Sequence, residues 1–372
     1  MMKELSIKPE IHTFDSCEEF INSFNLRKED LIITSEHTYN SYFKNFNLKS
    51  NIIFLRKYGK GEPSDEMVES LYEDVKDIPY KRVIGIGGGS VLDVSKLFAL
   101  KNISPVVDLF EHKLEFIKDK ELILIPTTCG TGSEVTNISI LELKAKHTKL
   151  GLAVDEIYAD YAVMIPELLK ELPFEFFATS SIDALIHAIE SSVSPKATAY
   201  TEMFSYKAME MILKGYQRVR DNGPEARIPI LKDFLLASNY AGIAFGNAGC
   251  GAVHAMSYPL GANYHVPHGE ANYQMFTGVF KTYEALKPEG NIKKLNAFLA
   301  QILGCSEEAV YSEIEELLNV LIPKKQLREY GIPKEELKDF TESVMTKQGR
   351  LMANNYTELT RETVYGIYEG LY

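Results

Sequence analysis

The stretch Arg82 to Lys96, RVIGIGGGSVLDVSK, runs from an apolar segment rich in Val and Ile through clustered glycines into residues at helical spacing. A buried strand, a tight turn and a helix opening near Ser90 come in the order that a phosphate site needs. Glycines let backbone N–H groups approach an anion, and a helix N-terminus adds unpaired donors and a favourable dipole. The spacing is GxGxxS, short of the full GxGxxG. Taken alone it also fits a strand-to-helix turn that binds nothing.

The logic repeats at Glu121 to Glu134, ELILIPTTCGTGSE, where an apolar run leads into Thr127, Thr128, Gly130, Thr131, Gly132 and Ser133. Hydroxyls and open backbone are what a second part of a dinucleotide would contact. Two such turns after successive strands favour a nucleotide by the switch-point rule of open α/β sheets. Asp108 lies near the distance at which a ribose-binding acid is expected, but it equally suits a cap on the segment that follows.

Working outward, DLIIT (Asp30 to Thr34), NIIFL (Asn51 to Leu55), RVIGI and ELILI read as strands buried on both faces. Ser64 to Asp77 and Ser90 to Lys101 carry apolar residues at helical spacing. That alternation predicts a mostly parallel α/β sheet. Beyond about Pro173 the pattern turns helical at Ala178 to Ser192, Thr201 to Tyr216, Ile230 to Ala244, Glu307 to Leu321 and Glu335 to Lys347. The reading is an N-terminal α/β dinucleotide domain over residues 1–175 and an all-α domain over 176–372, with LPFEFFATSS at their junction.

The 372 residues are 45% hydrophobic and 25% charged, an ordinary globular balance with length for about two domains. Forty basic against 52 acidic residues give a net charge of −12, and no segment concentrates Lys and Arg with aromatics, so nucleic acid is not an expected partner. The four cysteines are far apart without a CxxC pair, which fits a reducing cytoplasm. Neither a signal peptide nor a membrane span is expected, because no apolar run approaches the required length.

In the helical half, SSIDALIHAIES sets Asp183 and His187 four apart, on one helix face and within reach of a single ion. The same pair suits a first-turn acid and a core histidine. Downstream, GAVHAMSYPLGANYHVPHG collects His254, His265 and His268, three of the eight histidines, in 15 positions. Three imidazoles with one carboxylate suit Fe(II), Zn or a similar divalent ion and leave a position open for substrate oxygen. Pro267 keeps His265 and His268 off one regular helix face, so one of them is a candidate for the substrate instead.

In combination, GGGSVLDVSK, PTTCGTGSEVT, SIDALIHAIE and HAMSYPLGANYHVPHG resemble the iron-dependent alcohol dehydrogenase family over essentially the whole chain. EPSDEM, IPTTCGTGSEVTNISI, SNYAGIAFGNAG and YHVPHGEANYQ look like members that interconvert 4-hydroxybutyrate and succinate semialdehyde with NAD. The resemblance implies metal ligation by Asp183, His187, His254 and His268, with His265 outside the ligand set. It also implies NAD contacts from Gly87, Gly88, Gly89, Ser90, Asp93, Thr127, Thr128, Thr131 and Ser133, extended to Lys149 and Leu168. The fold it implies is the dehydroquinate-synthase-like pair of a Rossmann-like domain and a helical metal domain, with the active site in the cleft between them. Family precedent adds a homodimer or larger assembly.

Two positions depart from the family pattern. Tyr258 stands where many members carry a further His; it is either a hydrogen-bonding wall whose phenol conducts a proton or a packing residue, and His265 is a candidate for the substrate. Ser35, followed by Glu36, stands where NAD-preferring members commonly carry Asp. Glu36 replaces that Asp if it turns inward; otherwise NADP joins NAD as a possible cofactor.

Overall fold

Burial of short β-branched runs on both faces builds the first half of the chain. The computed structural model describes residues 3–146 and 148–372. They divide into two units, Ile7–Leu172 and Pro173–Tyr372, with residues 3–6 grouped in the second. The first unit holds strands β1 (Glu10–Thr13), β2 (Asp30–Thr34), β3 (Asn51–Phe54), β4 (Arg82–Gly87), β5 (Glu121–Pro126), β6 (Ile138–Leu143), β7 (Thr148–Ala153) and β8 (Tyr161–Met164). Its helices are α1 (Cys17–Phe24), α2 (Glu36–Tyr42), α3 (Asp65–Val75), α4 (Gly89–Leu97) and α5 (Val106–Phe110).

Six strands form a parallel sheet in the order β1-β8-β5-β4-β2-β3, while β6 and β7 make a separate antiparallel hairpin. Every residue of β2 and β4 is buried, as expected of strands covered on both faces. Arg82 forks onto both carboxylate oxygens of Asp30 at 2.9 and 2.7 Å, tying the starts of β4 and β2 in register. β3 lies on one side of β2 and β4 on the other. The strand order therefore reverses between β2 and β4, and a crevice opens at their carboxyl ends.

The second unit is helical: α6 (Phe174–Val193), α7 (Ala199–Asn222), α8 (Leu231–Ala248), α9 (Ala252–Tyr264), α10 (His268–Leu286), α11 (Asn291–Leu303), α12 (Val310–Leu321), α13 (Glu336–Lys347), α14 (Gly349–Met352) and α15 (Arg361–Gly370). Residues 181 to 193 of α6 are buried without interruption, so this helix is the axis on which α7, α8, α10 and α11 pack. Phe174 to Ser180, read from sequence as a junction, forms the first turns of α6, entered through Pro173 at the N-cap. Among the described residues, no helix is long and apolar enough to cross a membrane.

Candidate functional site

In the α/β unit the two Gly- and Thr-rich turns are brought side by side because β4 and β5 are neighbours. Thr127 N–H donates to the Gly87 carbonyl at 3.0 Å. A Cβ on Gly89 would stand 2.7 Å from Thr131 Cγ2, so a larger residue there would push the Thr131 side chain aside. Gly88 at the N-cap of α4 contributes no side chain to that helix opening, which leaves room for an anion at the first turn. A cavity of about 200 Å³ at the carboxyl ends of β2, β3 and β4 is lined by Ser35, Thr38, Arg56, Gly87, Gly88, Gly89, Ser90 and Thr127 among others. This is the switch-point crevice.

Several residues expected to contact the nucleotide have other engagements. Ser35 caps α2, accepting from Thr38 N–H at 3.0 Å. That cap places Glu36 in the first helical turn, where it is exposed. Asp93 and Ser133 share a network: Ser133 Oγ donates to Asp93 Oδ1 at 2.6 Å, and the Ile140 N–H donates to Oδ2 at 3.0 Å. Lys149 pairs with Glu62, and Leu168 is buried in the turn after β8. Asp108 lies in the first turn of α5 and pairs with Lys113.

Sequence reasoning missed Lys96. Its ammonium is fully buried and donates to Ser133 Oγ at 2.7 Å, Thr136 Oγ1 at 3.3 Å and the Ile138 carbonyl at 2.5 Å, with Asp93 at 3.4 Å. Burial pulls its pKa down, and Asp93 opposes that shift. Lys96 thus ties α4 to the second turn. Lys96→Met is expected to raise the KM for the nicotinamide cofactor about tenfold, the worth of one to two buried hydrogen bonds, with kcat little changed. Steady-state kinetics with varied cofactor check this.

In the helical unit, Asp183, His254 and His268 come from α6, α9 and α10 and converge, with ligand atoms within 4.8 Å of one another. Both His254 Nε2 and His268 Nε2 lie 3.6 Å from Asp183 Oδ1, and His187 Nδ1 lies 3.9 Å from Oδ2. Burial by itself would raise the Asp183 pKa, but the surrounding imidazoles hold its carboxyl well below the usual range. The His187 ring lies between Phe245 (4.1 Å, 14°) and His254 (4.6 Å, 21°), which fixes its plane. His268 opens α10 and is 38% exposed, the open side of the cluster.

The close approach of α10 to α6 depends on Gly269, where a Cβ would lie 1.9 Å from the Thr179 carbonyl oxygen. Asn272, one turn beyond His268, projects its amide nitrogen to 2.8 Å from Asp183 Oδ1, 3.1 Å from His254 Nε2 and 3.2 Å from His268 Nε2. Its Oδ1 is buried without a hydrogen-bond partner. Three acceptors thus aim at one electropositive point. A carboxylate and imidazoles around such a point are the donor set of a divalent ion with an open position, so the residues fit a metal.

Glu190 was also missed, although Asp183, His187 and Glu190 follow a 0, 4, 7 spacing on one helix face. One carboxylate oxygen accepts from Gly251 N–H at 3.2 Å and Val253 N–H at 2.8 Å, and the other meets His254 Nδ1 at 2.5 Å. With the proton held on Nδ1, the Nε2 lone pair faces Asp183 and His268. Glu190→Gln presents an amide donor to Nδ1 and is expected to weaken metal affinity about 10- to 100-fold, measured by competition with a chelator.

Tyr258 lies beside His268, with ring centroids 6.3 Å apart. His265 is exposed in left-handed backbone at the end of α9. Tyr264 donates to Glu336 at 2.7 Å, and the Asn247 amide is engaged with Ser6 and Ile243.

Comparison with known proteins places this arrangement in a class. The model of iron-containing alcohol dehydrogenases matches residues 10–166, and that of the C-terminal part of the Fe-containing alcohol dehydrogenase family matches residues 177–372. The chain belongs to the iron-containing alcohol dehydrogenase family. It is 53% identical over 371 residues to the 4-hydroxybutyrate dehydrogenase of Clostridium kluyveri, covering 100% of both chains. It is 35% identical to long-chain-alcohol dehydrogenase 1 of Geobacillus thermodenitrificans, over 84% of this chain and 80% of that one. In fold it resembles the sulfoacetaldehyde reductase of Bifidobacterium kashiwanohense solved with NAD+, at TM-score 0.86 and 20% identity over 100% and 99% of the two chains.

Proposed function

We propose that the chain is an NAD-dependent dehydrogenase that interconverts 4-hydroxybutyrate and succinate semialdehyde, acting on a small-molecule substrate with a bound divalent metal. The observation that carries this reading is the 53% identity, with both chains covered end to end, to the Clostridium kluyveri enzyme. Asp183, His187, His254 and His268 would hold Fe(II), with Zn as the other ion this donor set accepts. When bound, such an ion polarises the substrate oxygen as a Lewis acid, and NAD supplies the hydride acceptor.

The chain's own residues do the rest. Asp183 supplies the negative charge for the ion, and Glu190 holds the His254 tautomer that turns Nε2 to the cluster. Tyr258 lies beside His268, where its phenol can donate to or accept from a substrate oxygen. His265, exposed next to Val266 and Pro267, is the second polar group of that segment and is assigned to the substrate. Gly87, Gly88, Gly89, Ser90 and Thr127 line the switch-point cavity as a pyrophosphate cradle, with Thr128 beside Gly88 and Thr131 beside Gly89, and Asp93 and Ser133 brace it with Lys96. A homodimer or larger assembly, which family precedent implies, working in the cytoplasm completes the proposal; the widely spaced cysteines without a CxxC pair support the reducing compartment.

The test mixes Fe(II)-loaded protein with NAD and 4-hydroxybutyrate and follows reduced nicotinamide by absorbance, with butanol, glycerol and propanediol alongside. A strong preference for 4-hydroxybutyrate supports the reading. Turnover of the neutral alcohols alone would retain the family and overturn the substrate. No net reduction with any of them would overturn the dehydrogenase reading in favour of a cyclase or a scaffold.

A further inference from the structure

A second group of donors adjoins the metal cluster. His187, Cys250 and His254 each offer a ligand atom, and these atoms lie within 4.8 Å of one another. Cys250 is 7% exposed and sits between α8 and α9 in a loop pinned on both flanks. Asn354 Nδ2 donates to the Ala248 carbonyl at 2.7 Å, and Ser194 Oγ donates to the same carbonyl at 2.6 Å. On the other flank the Gly251 and Val253 N–H groups bond to Glu190. The thiol is therefore held at two imidazoles whose rings are already stacked.

We propose that His187, Cys250 and His254 form a second, thiolate-containing seat for a thiophilic divalent ion, overlapping the Asp183 seat and exclusive with it. Tetrahedral sites with bonds of about 2.0–2.3 Å set their ligand atoms about 3–4 Å apart, so the three donors need only a small closure to share an ion. The ion takes the sulfur lone pair as the thiol proton leaves to buffer. Both seats use His254, so the chain holds one ion at a time. Soft ions of the zinc and cadmium kind favour the sulfur seat, whereas harder Fe(II) favours the carboxylate seat. Selection between metals is then built into the cluster, and a sulfur-held ion leaves Asp183 and His268 outside its shell. This inference rests on the reading of His187 and His254 as metal ligands.

The experiment titrates chelator-stripped full-length protein with Cd2+, following thiolate-to-metal charge transfer in the ultraviolet and bound metal by equilibrium dialysis. Wild type, Cys250→Ser and Asp183→Asn are compared, with circular dichroism to confirm that each is folded. The expected result is a charge-transfer band saturating at one ion per chain in wild type and in Asp183→Asn. In Cys250→Ser the band is lost and Cd2+ affinity falls by at least about tenfold, the loss that even an outer partner of a ligand costs. Cd2+ bound by wild type without the band, or a band that survives in Cys250→Ser, overturns the sulfur seat and leaves the Asp183 centre standing. No bound Cd2+ in folded wild type overturns the seat together with the metal reading beneath it.

Discussion

Asp183→Ala is expected to leave a folded chain without bound Fe(II), with kcat/KM for alcohol oxidation lowered by about three orders of magnitude. That is the equivalent of the several kcal/mol a Lewis-acid ion supplies. Asp183 is the carboxylate on which His187, His254, His268 and Asn272 converge, at 2.8 to 3.9 Å. Without it the imidazoles face one another with no anion to offset a divalent charge. Metal content by atomic emission and turnover of NAD check the prediction together. Asp183→Asn keeps the shape and separates charge from packing. Wild-type metal and rate in both variants would remove Asp183 from the site.

The second large effect falls on a residue with no chemistry of its own. Gly269→Ala puts a Cβ 1.9 Å from the Thr179 carbonyl oxygen and 2.8 Å from its carbon, and no rotamer change relieves a clash with backbone. Alanine gains about 1 kcal/mol over glycine in helix propensity, but overpacking costs about 1–3 kcal/mol and more where backbone must shift. The clash wins. The first turn of α10 moves away from α6 and takes His268 with it, so metal affinity drops along with stability. Expected results are a Tm lower by about 2–4 °C per kcal/mol lost and partial metal occupancy. A variant that keeps wild-type melting and metal affinity would show that α10 can retreat without disturbing His268.

Much of the α/β unit is legible in the chain because its central strands are covered on both faces. DLIIT, RVIGI and ELILI are continuous apolar runs whose length and Gly or Pro endings suit strands. The edge strand β1 is mostly exposed, and β6 alternates buried and half-buried residues, so neither carries that signal. In the helical unit, α6 and α7 show their period. α9 and α10 do not, because Pro259, His265 and Pro267 punctuate them locally and burial against α6 outweighs propensity.

What the amino-acid order by itself determined is local: the order of strand, glycine turn and helix, and the placing of Asp183 and His187 on one helix face. Both follow from fixed backbone periods of 2.0 and 3.6 residues. What only the tertiary structure decided is which distant groups meet. Asn272 reaches Asp183 across 89 positions and His254 reaches Glu190 across 64, while Lys96 joins α4 to a turn 37 positions on. Ser35 became the cap of α2, and Cys250 came to two imidazoles because a loop was pinned at both flanks. No local period encodes such encounters; they arise from helix packing that leaves buried polar groups to find partners across the fold.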